Sequence, residues 1–241
     1  MKISVILPAA GLGTRMGRTS PEKAGTSRKQ FMLLEGSPIL LHTIRKFVAF
    51  PAVTEIVVAL RADDMAWAGE LLSREAFSKP VRLVEGGDSR QMTVENALAT
   101  LDADTDLVAV HDAVRPFVEP KVLEHVFAEA ADCGAAIVGI VPVDTVKQVH
   151  RNKIRATIPR DRLILAQTPQ VFRFDLLKKA FQKAREDGFS GTDESSLVER
   201  LDQVEVSVVP GSDRNIKITK PTDIDLARLF LAEELSAGAP V

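Results

Sequence analysis

Residues 8–17 read PAAGLGTRMG and follow an apolar run, KISVIL. Glycines just past a first strand either turn the chain or let backbone N–H groups close around phosphate. A dinucleotide fingerprint, G-x-G-x-x-G running into a helix, fits poorly here. Position 16 is Met16, the third glycine comes one residue late at Gly17, and Pro21 lies close behind. The G-x-x-x-x-G-K-[ST] pattern fails, because Met16-Gly17 stands where Gly-Lys is required. What remains is a glycine turn carrying Arg15, followed by a loop with Arg18, Lys23, Arg28 and Lys29. Gly11 and Gly13 put no side chain between backbone N–H groups and a phosphate oxygen, and Arg15 can donate in parallel to two oxygens. A triphosphate would use those cations. An ordinary solvated surface loop would carry them equally.

Three other segments hold candidate chemistry, each with a plainer reading beside it. In DLVAVHDAVRP an apolar strand ends in His111-Asp112 and then offers Arg115. A carboxylate at a strand's carboxyl end can help hold Mg²⁺, which takes one or two protein carboxylates plus phosphate oxygens and water. It can also just cap the next turn. EGGDSRQMTVENAL sets Gly86, Gly87 and Asp88 at a strand-to-helix junction, with Thr93 inside the helix; backbone and carboxylate there could read a base edge, or Asp88 could be the helix N-cap. GSDRNIKITKPTD presents Lys217, whose plainer reading is a solvated lysine on an edge strand.

The elements that must position these residues follow from hydrophobic period. KISVIL, TEIVVAL, VRLVE, DLVAVHD and AAIVGIVPV read as strands, separated by helical patterns at PILLHTIRKFVAF, DDMAWAGELL, SRQMTVENALAT and PKVLEHVFAEAAD. The alternation predicts an α/β, Rossmann-like fold with a mostly parallel central sheet and helices on both faces. The runs near Val57, Val108 and Ile137 are almost continuously apolar, so those strands belong inside the sheet. Helices are expected at about residues 174–186 and 192–201, a strand at VEVSVV, and a last helix opened by Pro221.

Residues 143–160 break the alternation. They read as two polar, β-branched strands about a turn near residues 150–153, with too few large apolar side chains for a core. An isolated two-stranded ribbon is marginal in water, so it folds back on its own domain or lies as an arm against a second subunit.

With 241 residues the chain suits one large α/β domain, able to bury roughly 70–75% of its unfolded surface. A net charge of -2 asks for neither nucleic acid nor membrane, so any polyanion site must be local. Cys133 is the one cysteine, which excludes an intrachain disulfide and a cysteine zinc cluster and suits a cytoplasmic setting. The N-terminal apolar stretch, broken by Pro8, is too short for a signal-peptide core, and no second catalytic domain is expected.

Taken in order, PAAGLGTRMG, KQF, EGGDSR, HDAVRPF, the DTVK stretch, QTPQVF, GTDESS and DRNIKITKP resemble the 2-C-methyl-D-erythritol 4-phosphate cytidylyltransferase family over nearly the whole chain. The resemblance implies a single nucleotidyltransferase domain over 1–241, with a dimerisation β-arm at about 143–168 that completes the partner's site in a homodimer. It implies transfer of a cytidylyl group from CTP to the phosphate of a polyol phosphate, with Mg²⁺ assisting and pyrophosphate leaving. Carried onto this sequence, Ala9, Ala10, Gly11 and Gly13 would line the nucleotide, and Gly87, Asp88 and Thr93 would read cytosine and ribose. Arg15 and Lys29 would neutralise the β- and γ-phosphates, Lys217 the α-phosphate, and Asp112 would hold Mg²⁺ and face the substrate. Arg115 and Thr168 would meet the sugar phosphate, joined by Thr145 and Arg160 from the partner's arm. The loop before Lys29 is longer than usual and contains Lys23; Pro159 stands where the family has Asp, and Thr93 where Ser is common. Ribitol-5-phosphate cytidylyltransferase shares HDAVRPF and QTPQ but opens with LAGG. A non-catalytic nucleotide-binding module is the alternative from another class.

Overall fold

A computed structural model of the chain describes residues 1–11 and 28–236; Gly13, Arg15 and Lys23 lie outside the described residues. In chain order the elements are β1 (Ile3–Pro8), a small β2 (Leu33–Leu34) and β3 (Ser37–Pro38) pair, α1 (Ile39–Val48), β4 (Val53–Leu60), α2 (Ala62–Ser73), β5 (Val81–Glu85), α3 (Arg90–Leu98) and β6 (Leu107–Val110). There follow α4 (Pro120–Cys133), β7 (Ala135–Ile140), β8 (Val146–His150), β9 (Lys153–Ile158), β10 (Leu165–Arg173), α5 (Phe174–Glu186), α6 (Glu194–Glu199), β11 (Ser207–Pro210) and α7 (Pro221–Ser236).

The main sheet has the order β11-β7-β10-β6-β1-β4-β5. Side chains alternate between its faces, and both faces are covered. Val5, Leu7, Ile56, Val58 and Ala109 pack under α1, α2 and α4, while Ile6, Val57, Val108 and Val110 pack under α3, α5 and α6. Two-sided burial is why these strands read as unbroken apolar runs. Helix ends follow their sequence signals: α4 starts with Pro120 at its first position and stops at Gly134, whose φ of 96° suits a residue without Cβ. A third, smaller cluster joins Val114, Phe117, Ile218, Ile224 and Leu231, tying the segment after β6 and the segment before α7 together. Among the described residues no helix is long and apolar enough to cross a membrane.

One strand escapes the sequence reading. The QTPQVF segment lies in β10, which pairs antiparallel with both β6 and β7 inside an otherwise parallel sheet. Pro169 and the flanking glutamines disguise it, since proline removes a ladder donor and argues against an interior strand. The pairing with β7 absorbs the proline in an irregularity between Ala166 and Gln170. Two expected elements are also shorter than their sequence patterns, β11 beginning at Ser207 and α6 at Glu194.

The stretch at 143–160 contains the expected hairpin, β8 and β9, closed by Arg151 and Asn152 with φ of 47° and 60°. Both central residues of a type I′ hairpin turn take this left-handed conformation. The pair forms its own two-stranded sheet and is mostly exposed.

Burial of β10 gives a direct test of its interior position. Phe172 is fully buried, so Phe172→Ala should cost about 3–5 kcal/mol in urea unfolding; a loss below about 1 kcal/mol would place that strand elsewhere.

Candidate active site

In an open α/β sheet, ligands bind beyond the carboxyl ends of the strands where the strand order reverses. Here the order reverses about β1, which has β4 and β5 on one side and β6 on the other. A cavity of about 380 Å³ opens at that point. Its walls come from the end of β1 (Ala9, Ala10, Gly11), the turn from β5 into α3 (Gly87, Asp88, Thr93), Asp112 after β6, and Lys29 and Lys217. Sequence-distant candidates thus meet in one crevice. Thr145 and Arg160 do not line it: both are exposed beside the hairpin, and the Arg160 guanidinium donates to the Val143 carbonyl oxygen.

Close packing shapes the nucleotide side. Ala9 N–H donates to the Ala59 carbonyl oxygen at 2.8 Å, and the buried Gln30 Nε2 donates to the Ala9 carbonyl oxygen at 2.6 Å. That fixes the exit of β1 from both sides. A Cβ on Gly86 would come within 2.8 Å of the Ala10 Cβ, and one on Gly87 within 2.5 Å of the Met92 Cβ. These glycines are therefore required by the approach of the turn to β1 and to α3. Thr93 Oγ1 lies 2.8 Å from the Ser89 carbonyl oxygen and 3.2 Å from both the Gly87 N–H and carbonyl oxygen, so its hydroxyl braces the turn. The helix cap is Ser89, whose Oγ accepts from Met92 N–H at 3.1 Å, and not Asp88. Asp88 is left on the cavity wall.

Charge concentrates at Asp112. Its Oδ2 lies 2.8 Å from Lys217 Nζ and accepts from Arg115 Nε at 3.2 Å, while Oδ1 sits 3.8 Å from Arg90 Nε. Burial alone would push the Asp112 carboxyl up; Lys217, Arg90 and Arg115 outweigh it and hold the group far below the usual carboxylate range. Lys217 is not an edge-strand lysine. Ile218 beside it is buried in the α7 cluster and its N–H donates to the Val114 carbonyl oxygen at 3.0 Å, which turns Lys217 toward the crevice. Thr168 Oγ1 accepts from Asp112 N–H at 3.0 Å, because antiparallel β10 brings its first half to the carboxyl end of β6. Arg115 also donates to the Asn215 carbonyl oxygen at 2.6 Å, and Asn215 Nδ2 donates to the Thr168 carbonyl oxygen at 2.8 Å.

A magnesium ion here would be held by Asp112 and by phosphate. Among the described residues no group of three His, Cys, Asp or Glu side chains could cage a metal, and one carboxylate on the wall of a phosphate-sized crevice fits an ion that keeps substrate oxygens and water.

Sequence reasoning missed Arg90, Glu194, Gln30 and Asn215. Arg90 lines the cavity and its Nη1 donates to Glu194 Oε1 at 2.7 Å; Glu194 is 1% exposed. Burial pushes the Glu194 carboxyl up, opposed by the Arg90 charge. Gln30, Arg90, Glu194 and Asn215 fall in the polar segments KQF, GDSR, TDES and DRNIK, and no spacing rule links them.

His111, fully buried, has Nε2 3.0 Å from the Arg115 carbonyl oxygen, so that nitrogen carries the proton. Burial pushes its pKa down from 6.5 to about 4. Between those values the unfolded chain binds a proton that the folded one refuses, so stability must fall as pH drops from 6.5 to 4. In metal-free buffer the loss from this residue should approach about 3 kcal/mol, and His111→Gln should flatten that part of the stability–pH curve. An unchanged slope would show that His111 titrates alike in both states.

Known proteins resemble this chain along nearly its whole length. Residues 3–233 match the family model described as 2-C-methyl-D-erythritol 4-phosphate cytidylyltransferase. Proteins of that name from Solibacter usitatus and Acidobacterium capsulatum are 67% and 50% identical, over 97% of both chains for the first and 98% of this chain and all of the other for the second. Among solved structures, 4-diphosphocytidyl-2C-methyl-D-erythritol synthase from Anaerococcus prevotii superposes with a TM-score of 0.83 at 29% identity, covering 95% of this chain and 96% of that one. The Francisella tularensis 2-C-methyl-D-erythritol 4-phosphate cytidylyltransferase gives 0.78 at 32%, covering 95% and 99%. On the strength of a match along almost its entire length, the chain belongs to the 2-C-methyl-D-erythritol 4-phosphate cytidylyltransferase family.

Proposed function

We propose that this crevice is where the chain acts as a CTP-dependent cytidylyltransferase, joining the cytidylyl group to the phosphate of 2-C-methyl-D-erythritol 4-phosphate. The products are 4-diphosphocytidyl-2-C-methyl-D-erythritol and pyrophosphate, a step of isoprenoid precursor synthesis by the non-mevalonate route. The observation that carries the assignment is the meeting of Lys217 and Arg115 on one buried carboxylate, Asp112, at the wall of the cavity.

The attacking group is already an anion, so the enzyme needs no nucleophile of its own. Its task is to overcome repulsion between two phosphates and to spread charge in an in-line transition state. With no substrate bound, Asp112 gathers the cations that this requires. Phosphate oxygens entering the crevice compete for them: Lys217 turns to the α-phosphate, and Arg115 with Thr168 takes the sugar phosphate. Arg15 and Lys29 receive the charge of departing pyrophosphate, and Gly13 joins Ala9, Ala10 and Gly11 along the triphosphate. Gly87 and Asp88 face the base, on a turn held in shape by Thr93. Mg²⁺, when bound at Asp112, adds positive charge beside the triphosphate. The single cysteine suits a reducing cytoplasm.

The hairpin supports a homodimer, with all of 1–241 acting as one domain. Val143 at the base of the hairpin and Ile154 near its tip are 76% and 66% exposed, and Thr145 and Arg160 lie near Val143, away from this subunit's cavity. A second copy would cover those apolar side chains and receive Thr145 and Arg160 at its own crevice. Sedimentation should show a dimer, and Ile154→Asp a smaller species; a wild-type monomer would remove the arm from the mechanism.

Pyrophosphate release with CTP, Mg²⁺ and either 2-C-methyl-D-erythritol 4-phosphate or ribitol 5-phosphate tests the activity. The first substrate should be preferred, and Lys217→Ala should lower turnover by roughly 10²–10³-fold, the cost of one preorganised donor. Preference for ribitol 5-phosphate would overturn the substrate, and a folded Lys217→Ala enzyme with normal turnover would remove that lysine.

A further inference from the structure

Asp112 is 7% exposed, and two of its three cations are the ones that the phosphates must claim. Once they leave, the carboxylate still needs a fixed partner within the protein, besides any Mg²⁺ that arrives with the nucleotide, because an uncompensated buried charge is strongly unfavourable. Arg90 is in place for this, 3.8 Å from Oδ1, but a mobile arginine in the same crevice would be drawn to phosphate as well. What restrains it is Glu194. Its Oε1 takes the Arg90 guanidinium at 2.7 Å, and its Oε2 is buried with no hydrogen-bond partner among the described residues. A carboxylate kept so poorly solvated contributes little to stability by itself, and it sits immediately behind a cavity wall.

Glu194 is itself fixed. It is the first residue of α6, whose cap Asp193 accepts from Ser196 N–H at 3.1 Å and from Gln170 Nε2 at 2.7 Å. Gln170 Oε1 accepts from Ser195 N–H at 3.0 Å, and Gln170 pairs in register with Val110 of β6, two residues before Asp112. The contacts form a closed ring from β6 through β10, α6 and α3 back to Asp112.

We propose that Glu194 is a positioning residue: through Arg90 it holds the Asp112 carboxylate in its reactive orientation while Lys217 and Arg115 transfer to substrate phosphate. The inference rests on the cytidylyl-transfer reading. It assigns the TDES segment to charge placement at the reacting centre rather than to substrate contact.

The test is a double-mutant cycle of Arg90→Gln and Glu194→Gln in the full chain, reading kcat and KM for CTP, with melting curves to confirm folding. Each single change should lower kcat by about 10–100-fold at nearly constant KM, and the double variant should lose no more than Arg90→Gln alone, as expected for residues acting as one unit. A folded Glu194→Gln enzyme within twofold of wild-type kcat, or losses that multiply, would overturn the proposal. Should Glu194→Gln fail to fold, Arg90→Lys serves in its place: it keeps the charge but lacks the planar fork that reaches both carboxylates, so a kcat loss above fivefold supports the proposal and a wild-type value overturns it. A readout independent of turnover is the Arg90 Nε–H signal in nitrogen-15 spectra, identified by its loss in Arg90→Gln. It should be sharp in the wild-type protein and broadened in Glu194→Gln; an unchanged signal counts against the proposal even where no substrate supports turnover, and so separates it from failure of the functional reading.

Discussion

A carboxylate taken out of water is costly unless cations meet it, and the folded site is organised around that pairing at Asp112. Lys217, Arg115 and Arg90 reach it from separate parts of the chain. Without the carboxylate they would repel one another across a few ångströms of partly dry protein. With it, they are already gathered where a polyphosphate would need them. The Asp112 carboxylate thus holds the three cations together at the wall of the crevice.

Every nearby packing decision serves to hold those charges in reach. The α7 cluster buries Ile218 and Val114 on either side of Lys217 and Arg115, converting two loops into a rigid mount. The strand that lies antiparallel, β10, delivers Thr168 and Gln170 to the same end of the sheet. An all-parallel arrangement would have sent the start of that strand to the opposite edge. On the nucleotide side, Gly86 and Gly87 let the β5–α3 turn rest on Ala10 and Met92, so the crevice is narrow by construction.

Much of this was readable from residue order, and for physical reasons. Continuous apolar runs such as those around Val57 and Val108 announce strands covered on both faces, and the α/β alternation fixes the class of fold. Asp112 and Lys217 could be suspected from their places after a strand and before a helix, though each alone had a plainer explanation. Other features were hidden because their signals are non-local. Gln170 looks like a loop residue beside Pro169 until β6 is placed next to it, and Glu194 looks like a surface acid at a helix start until Arg90 closes over it. Residue type alone left Asp88 as either a base reader or a helix cap, because Ser89, one residue later, offers an equally good capping oxygen and only the folded structure shows that it is the one used. Pairings between residues about a hundred positions apart, as between Arg90 and Glu194, leave no periodicity in the sequence.

The hairpin between β7 and β10 leaves the sheet and returns to it at one rim. β7 runs in the same direction as β6, and β10 runs back, so both junctions lie at the end where the crevice opens. Its side chains join neither of the two sheet-covering layers. Substitutions along that ribbon are therefore insulated from the folding of the interior: they change what the ribbon can meet outside its own subunit, while the scaffold that arranges the charges stays as it is.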